Sequence, residues 1–137
     1  MTQNRQPSVL VVEDDVDLRR TISESLESEG FAAAQSPDAT DAIERLKAFA
    51  YDGIVIDLHL PDASGMDVLD EAINRYPEIR AVVITGFGGV SEAVSAMKRG
   101  AVDFLIKPFQ LTQLARVIHA AVDQQRLREE NAELRAQ

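Results

Sequence analysis

Ile54-Val55-Ile56 is a short, wholly apolar, β-branched run that ends on the carboxylate of Asp57. A run of that kind suits a strand buried on both faces, the usual state of strands in a parallel sheet. Open parallel sheets carry their reactive groups at the carboxyl ends of their strands, so Asp57 is placed like a functional residue. The segment that follows, Leu-Pro-Asp-Ala-Ser-Gly at residues 60–65, holds two breakers, Pro61 and Gly65. It predicts a loop, after which helical spacing takes over across residues 66–75.

Four more apolar runs flank this one. Residues 8–12 read as a strand running straight into Glu13, Asp14 and Asp15, and Leu18, Ile22, Ser25 and Leu26 then recur at helical spacing until Gly30 stops them. Residues 31–35 predict a second strand. Ser36-Pro37 predicts an N-cap with proline at the first helical position of a helix reaching residue 50, with Ala39, Ala42, Ile43 and Leu46 inward. The helix after Asp57 turns Val68, Leu69, Ala72 and Ile73 inward and stops at Tyr76-Pro77. Residues 81–84 form a fourth strand ending on Thr85. Ser91 is expected to cap the next helix, with Ala93, Val94, Ala96 and Met97 inward until Gly100. A fifth strand over residues 102–106 ends on Lys107-Pro108, and a last helix begins near Leu111. Regular alternation of this kind predicts right-handed βαβ units and a doubly wound, parallel sheet of order 2-1-3-4-5.

Composition narrows the function classes. A chain of 137 residues with 45% hydrophobic content suits a single core. No apolar run approaches the ~20 residues of a membrane span, and the polar start lacks the features of a signal peptide, so no membrane contact and a cytoplasmic location are expected. The absence of cysteine removes disulfides, thiolate nucleophiles and sulfur-ligated metals from consideration. A net charge of −9 argues against nucleic acid binding by this segment, since phosphate neutralisation needs clustered Lys and Arg.

Strands one, three, four and five thus end on Glu13-Asp14, Asp57, Thr85 and Lys107, and the predicted strand order converges them on one crevice. Three carboxylates held that close repel one another unless a cation joins them. Mg²⁺ suits an all-oxygen set and commonly keeps room for phosphate oxygens. Lys107 offers a compact positive charge and Thr85 a hydroxyl donor. Phosphoryl transfer onto a carboxylate is the chemistry this set suits. Taken singly, Glu13 to Asp15 also fit a solvated turn, with Asp15 or Asp17 as the helix cap, and Lys107 fits a surface lysine.

In this order, these residues resemble the receiver domain of bacterial two-component response regulators, over about residues 8–121. The resemblance implies a flavodoxin-like α/β fold, (βα)5, and assigns roles position by position. Asp57 corresponds to the phospho-accepting aspartate, Asp14 to a direct Mg²⁺ ligand, Glu13 to a ligand through water, and His59 to the position whose backbone carbonyl completes the metal site. Thr85 and Lys107 match the switch hydroxyl and the phosphate-binding lysine. Phe104 holds the aromatic switch position without the hydroxyl of the common tyrosine, and Lys107-Pro108 is expected to be cis. The implied mechanism is a two-state switch in which phosphorylated Asp57 draws the Thr85 hydroxyl and Phe104 turns into the space left behind. A sensor histidine kinase is the implied donor, and no enzyme activity is expected beyond the domain's own phosphoryl transfer and dephosphorylation. The side chain of His59 is expected at the mouth of the site. His119, in the last helix, has no partner in sight.

Two other classes stand beside this reading. An aspartyl phosphatase of the dehalogenase type wants a second aspartate two residues after the nucleophile, where this chain has His59. A receiver-like dimerising module would need none of the phosphorylation groups.

The last helix meets no breaker, which divides the chain into a receiver over residues 1–121 and a helical extension over 122–137. Counted in heptads, Val117, Gln124 and Asn131 fall at a positions and Ala120, Leu127 and Leu134 at d positions. Asp123 and Glu130 at g match Arg128 and Arg135 at e in sign, as a parallel dimer requires. Val117, Leu127, Asn131 and Leu134 are the expected dimer contacts. A receiver followed by Leu-Arg-Glu-Glu-Asn resembles the linker start of NtrC-class activators, whose output modules lie further along the chain.

Overall fold

Strand residues alternate between two cores, because successive side chains of a β-strand point to opposite faces. The computed structural model describes residues 6–86 and 88–136, with side chains through residue 123. Its elements are β1 (Ser8–Val12), α1 (Val16–Ser28), β2 (Ala32–Ser36), α2 (Ala39–Ala48), β3 (Gly53–Asp57), α3 (Gly65–Arg75), β4 (Arg80–Thr85), α4 (Val90–Lys98), β5 (Asp103–Ile106) and α5 (Leu111–Ala136). The five strands pair in parallel in the order β2-β1-β3-β4-β5, as the sequence predicts.

Leu10, Val12, Ile54, Ile56, Ala81 and Val83 face a core closed by α2, α3 and Ala96 of α4. Val9, Val11, Val55, Val82, Ile84 and Leu105 face the other, closed by Ile22 and Leu26 of α1 and Leu114, Ile118 and Val122 of α5. Core contact on α5 therefore runs through Val122. The register brings the strand ends level: Val12 lies opposite Ile56, Asp57 opposite Ile84, and Thr85 opposite Ile106. The residues just past those ends therefore open onto one edge of the sheet.

Five local expectations change. Phe31 is part of the ending of α1 rather than of β2. Gly30 takes φ +98°, its N–H reaches the Glu27 carbonyl, and the Phe31 N–H reaches the Leu26 carbonyl at 3.0 Å, which closes the helix by a Schellman motif and buries Phe31. Ser36 is the last residue of β2, and Asp38 caps α2 instead by accepting the Asp41 N–H at 2.8 Å. α2 itself ends at Ala48. Ser91 lies inside α4, whose start at Gly89 has no side-chain cap. On the same helix Ala93 and Ala96 are buried, whereas Val94 and Met97 are 44% and 38% exposed and form an outward stripe with Val90. α4 lies on the sheet through its two small residues, leaving its larger ones outside.

Among the described residues no helix is long and apolar enough to cross a membrane. Val117, proposed from the heptad count as a dimer contact, packs against its own domain's core. The side chains of Leu127, Asn131 and Leu134 lie outside the described residues.

Candidate functional site

β1 and β3 deliver their terminal carboxylates into the crevice where the chain order reverses, and β5 brings the cation that joins them. Lys107 Nζ lies 2.7 Å from Asp57 Oδ2 and 2.9 Å from Glu13 Oε1. Its backbone continues the sheet, donating its N–H to the Thr85 carbonyl at 2.8 Å, and the Lys107-Pro108 peptide is cis, as expected. Asp57 and Glu13 are almost fully enclosed, at 3% and 1% exposure, while Asp14 is open to solvent.

The remaining lone pairs are used locally. Asp57 Oδ1 accepts the His59 N–H at 2.8 Å, and Glu13 Oε2 accepts the Asp15 N–H at 3.2 Å. Burial pushes the Glu13 carboxyl up to about 7; Lys107 and the Asp15 N–H pull against that rise, and the Asp57 charge adds to it. Burial alone would lower Lys107, but its hydrogen bonds to Asp57 and Glu13 outweigh it and raise the ammonium above its usual range. Thr85 is buried with its hydroxyl unpartnered, an arrangement that costs free energy unless another state of the site uses it. Gly89 covers it closely: a Cβ there would meet the Thr85 side chain, with Thr85 Cγ2 at 2.8 Å.

Oxygen atoms of Glu13, Asp14 and Asp57 lie within 4.8 Å of one another. Three carboxylates beside a single ammonium leave negative charge uncompensated, and the donor set is oxygen alone, so the residues fit a hard divalent cation. Phe104 is half-buried against the core shared by α2, α3 and α4. The predicted residues Glu13, Asp14, Asp57 and Lys107 are thus brought together, with Thr85 at the end of the strand between β3 and β5.

Other groups around the site were invisible in the sequence. His59 lies at the mouth, as expected, and its ring Nε2 is 3.0 Å from Glu92 Oε1 in the first turn of α4. Asp62, on the same loop, caps α2 from 22 residues away. It accepts the Thr40 hydroxyl at 2.6 Å and the Ala39 and Thr40 N–H groups at 2.9 Å, which hold its carboxyl down at about 2. Arg19 of α1 donates to the Glu13 carbonyl oxygen at 2.9 Å. His119 does have a partner: its ring lies 3.0 Å from Glu29 Oε1 and packs at 4.8 Å from Phe31. The sequence carried no signal for Glu92 beside His59 or for the partners of Asp62, Arg19 and His119.

The family model described as response regulator receiver domain matches residues 9–119. The C4-dicarboxylate transport transcriptional regulatory protein DctD of Rhizobium meliloti is 35% identical over 130 residues, covering 94% of this chain and 28% of that protein. NtrX from Brucella abortus, solved in complex with ATP, superposes with a TM-score of 0.87 at 33% identity over 95% of this chain and 30% of its own. A CheY-like receiver domain protein from Methanospirillum hungatei gives a TM-score of 0.86 at 22% identity over 90% of this chain and 99% of its own, a likeness of fold alone. The chain spans about three tenths of the two longer relatives. A family match over most of its length, on a fold whose order and strand-end chemistry agree with it, makes this chain a member of the response regulator receiver domain family.

Proposed function

We propose that Asp57 accepts a phosphoryl group from the phosphohistidine of a sensor histidine kinase. A carboxylate oxygen of Asp57 forms the new bond to phosphorus as the donor's phosphorus–nitrogen bond breaks, leaving the kinase histidine neutral once it takes up a proton. Glu13, Asp14, Asp57 and the backbone carbonyl of His59 would hold Mg²⁺, which supplies positive charge opposite the transferring oxygens. Lys107 stands 2.7 Å from the acceptor oxygen and is placed to keep an ion pair with the phosphoryl group. Thr85 has its hydroxyl free to donate to the same group, and Phe104 follows it. The observation that carries this reading is the enclosure of Asp57, with its lysine, against two further carboxylates.

The domain then acts as a switch, with no chemistry beyond gaining and losing its own phosphoryl group. Its output is a surface and dimerisation change that is passed along α5 to a transcriptional module, in keeping with the longer relative DctD, a transcriptional regulatory protein. Residues 1–121 form the receiver and 122–137 the dimerising extension, in the cytoplasm. Intact mass after incubation with a small phosphodonor tests the proposal, with and without Mg²⁺, for this chain and for Asp57→Asn. One Mg²⁺-dependent phosphoryl gain, lost in the variant, is expected. No gain from a donor and kinase that label another receiver would overturn it in favour of a dimerising module.

A further inference from the structure

Glu13 is the one buried acid of the cluster whose backbone also leaves its strand, so something must fix where its side chain enters the crevice. Both of its peptide groups are held from outside. Its N–H donates to the Ser36 carbonyl at 3.0 Å, and its carbonyl oxygen accepts from Arg19 Nη1 at 2.9 Å. The same guanidinium donates through Nε to Gln35 Oε1 at 3.2 Å. Arg19 thus ties α1 to the end of β1 and to β2, on the flank of the sheet away from β3 and β4.

That carbonyl belongs to the peptide linking Glu13 to Asp14, so a donor on it sets the direction in which both acids leave β1. Turning this peptide would swing Glu13 off Lys107 and Asp14 off Asp57. We propose that Arg19 is a positioning residue for the acidic loop, fixing from outside the site where Glu13 and Asp14 present their oxygens to a divalent cation. This rests on the reading of the cluster as a metal site. The residue type matters because a guanidinium offers several donors in a rigid fork, two of which here reach acceptors on different strands. A charge-assisted bond to a backbone carbonyl is also stronger than a neutral one. Groups that hold metal ligands in place commonly change affinity by 10–100-fold when removed.

The test is calorimetric titration of the unphosphorylated chain with Mg²⁺, comparing wild type with Arg19→Met, Arg19→Lys and Gln35→Ala. Arg19→Met should weaken Mg²⁺ binding about tenfold. Arg19→Lys, which keeps one cationic donor for the carbonyl, should recover most of that loss, and Gln35→Ala should stay within about twofold. In the phosphodonor assay, the Mg²⁺ concentration giving half the maximal rate should rise for Arg19→Met, with the rate at saturating Mg²⁺ within about twofold of wild type. Thermal unfolding in chelator shows whether the variant is folded; if it is not, Arg19→Gln, shorter and uncharged, takes its place with the same expected loss. Unchanged Mg²⁺ affinity in a folded Arg19→Met, or a saturating rate that falls as far as the affinity, would overturn the role. A wild-type chain that takes up no Mg²⁺ would instead overturn the metal reading beneath it.

Discussion

α2 and α4 both reach the loop between β3 and α3, but they hold it very differently. α2 receives Asp62 through three hydrogen bonds, carries a second cap in Asp38, and buries Leu46 along with Ala39 and Ala42. α4 touches the same loop through the exposed pair His59–Glu92, starts without a side-chain cap, and is seated by two alanines while Val90, Val94 and Met97 face out. A capped helix with a large buried side chain opens only at high free-energy cost, whereas a short uncapped one on small residues rearranges cheaply. The site loop therefore has one fixed wall and one adjustable wall, and the unpartnered hydroxyl of Thr85 lies on the adjustable side, beneath Gly89.

The contrast can be broken by substitutions of decreasing effect. Leu46→Ala should lower stability by about 2–5 kcal/mol in urea unfolding, because a fully buried leucine leaves a cavity under α2. A loss below 1 kcal/mol would mean that α2 is no better seated than α4. Gly89→Ala places a methyl group against the Thr85 side chain and should cost about 1–3 kcal/mol. No loss in the same assay would show the start of α4 to be freer than its packing suggests.

Asp62→Asn should cost less, with a characteristic pH dependence. The folded carboxyl is depressed to about 2, so its contribution is complete above the unfolded value near 4 and disappears as pH falls through 2. The stability gap between wild type and variant should close as pH is lowered from ~5 to ~2, measured with a denaturant series at each pH. A gap that persists at pH 2 would show that the amide-for-carboxylate exchange disturbs packing. Smallest is Glu92→Gln, expected within about 1 kcal/mol because exposed ion pairs contribute little. A larger loss would give α4 a firmer hold on the loop than the contrast allows.

The strands and the convergence of Glu13, Asp57, Thr85 and Lys107 were legible because each depends on a local signal, an apolar run ending in a polar residue, joined to a topology with few alternatives. The order 2-1-3-4-5 did the rest. α4 was misjudged at Val94 and Met97 because helical spacing shows that apolar faces exist without saying which one lies on the sheet. Its neighbouring stripes were Ala93 with Ala96 and Val90 with Val94 and Met97, and close approach to the sheet favoured the smaller pair. Phe31 and Ser36 were misassigned by one position, since an aromatic after glycine serves a helix ending as well as a strand start. Asp62 on α2, Arg19 on the Glu13 carbonyl and His119 on Glu29 are pairings across 22, 6 and 90 residues, which no local pattern encodes.

α5 continues to Ala136, past Val122, the last of its described side chains to pack in the core. At about 1.5 Å of rise per residue, the helix runs on for roughly 20 Å beyond Val122. Leverage follows from that length. A tilt of about 5° where Leu114 and Ile118 rest on the sheet carries the far end, about 30 Å away, about 2.5 Å sideways, so a shift of a few tenths of an ångström in the core emerges as a displacement larger than an atomic radius.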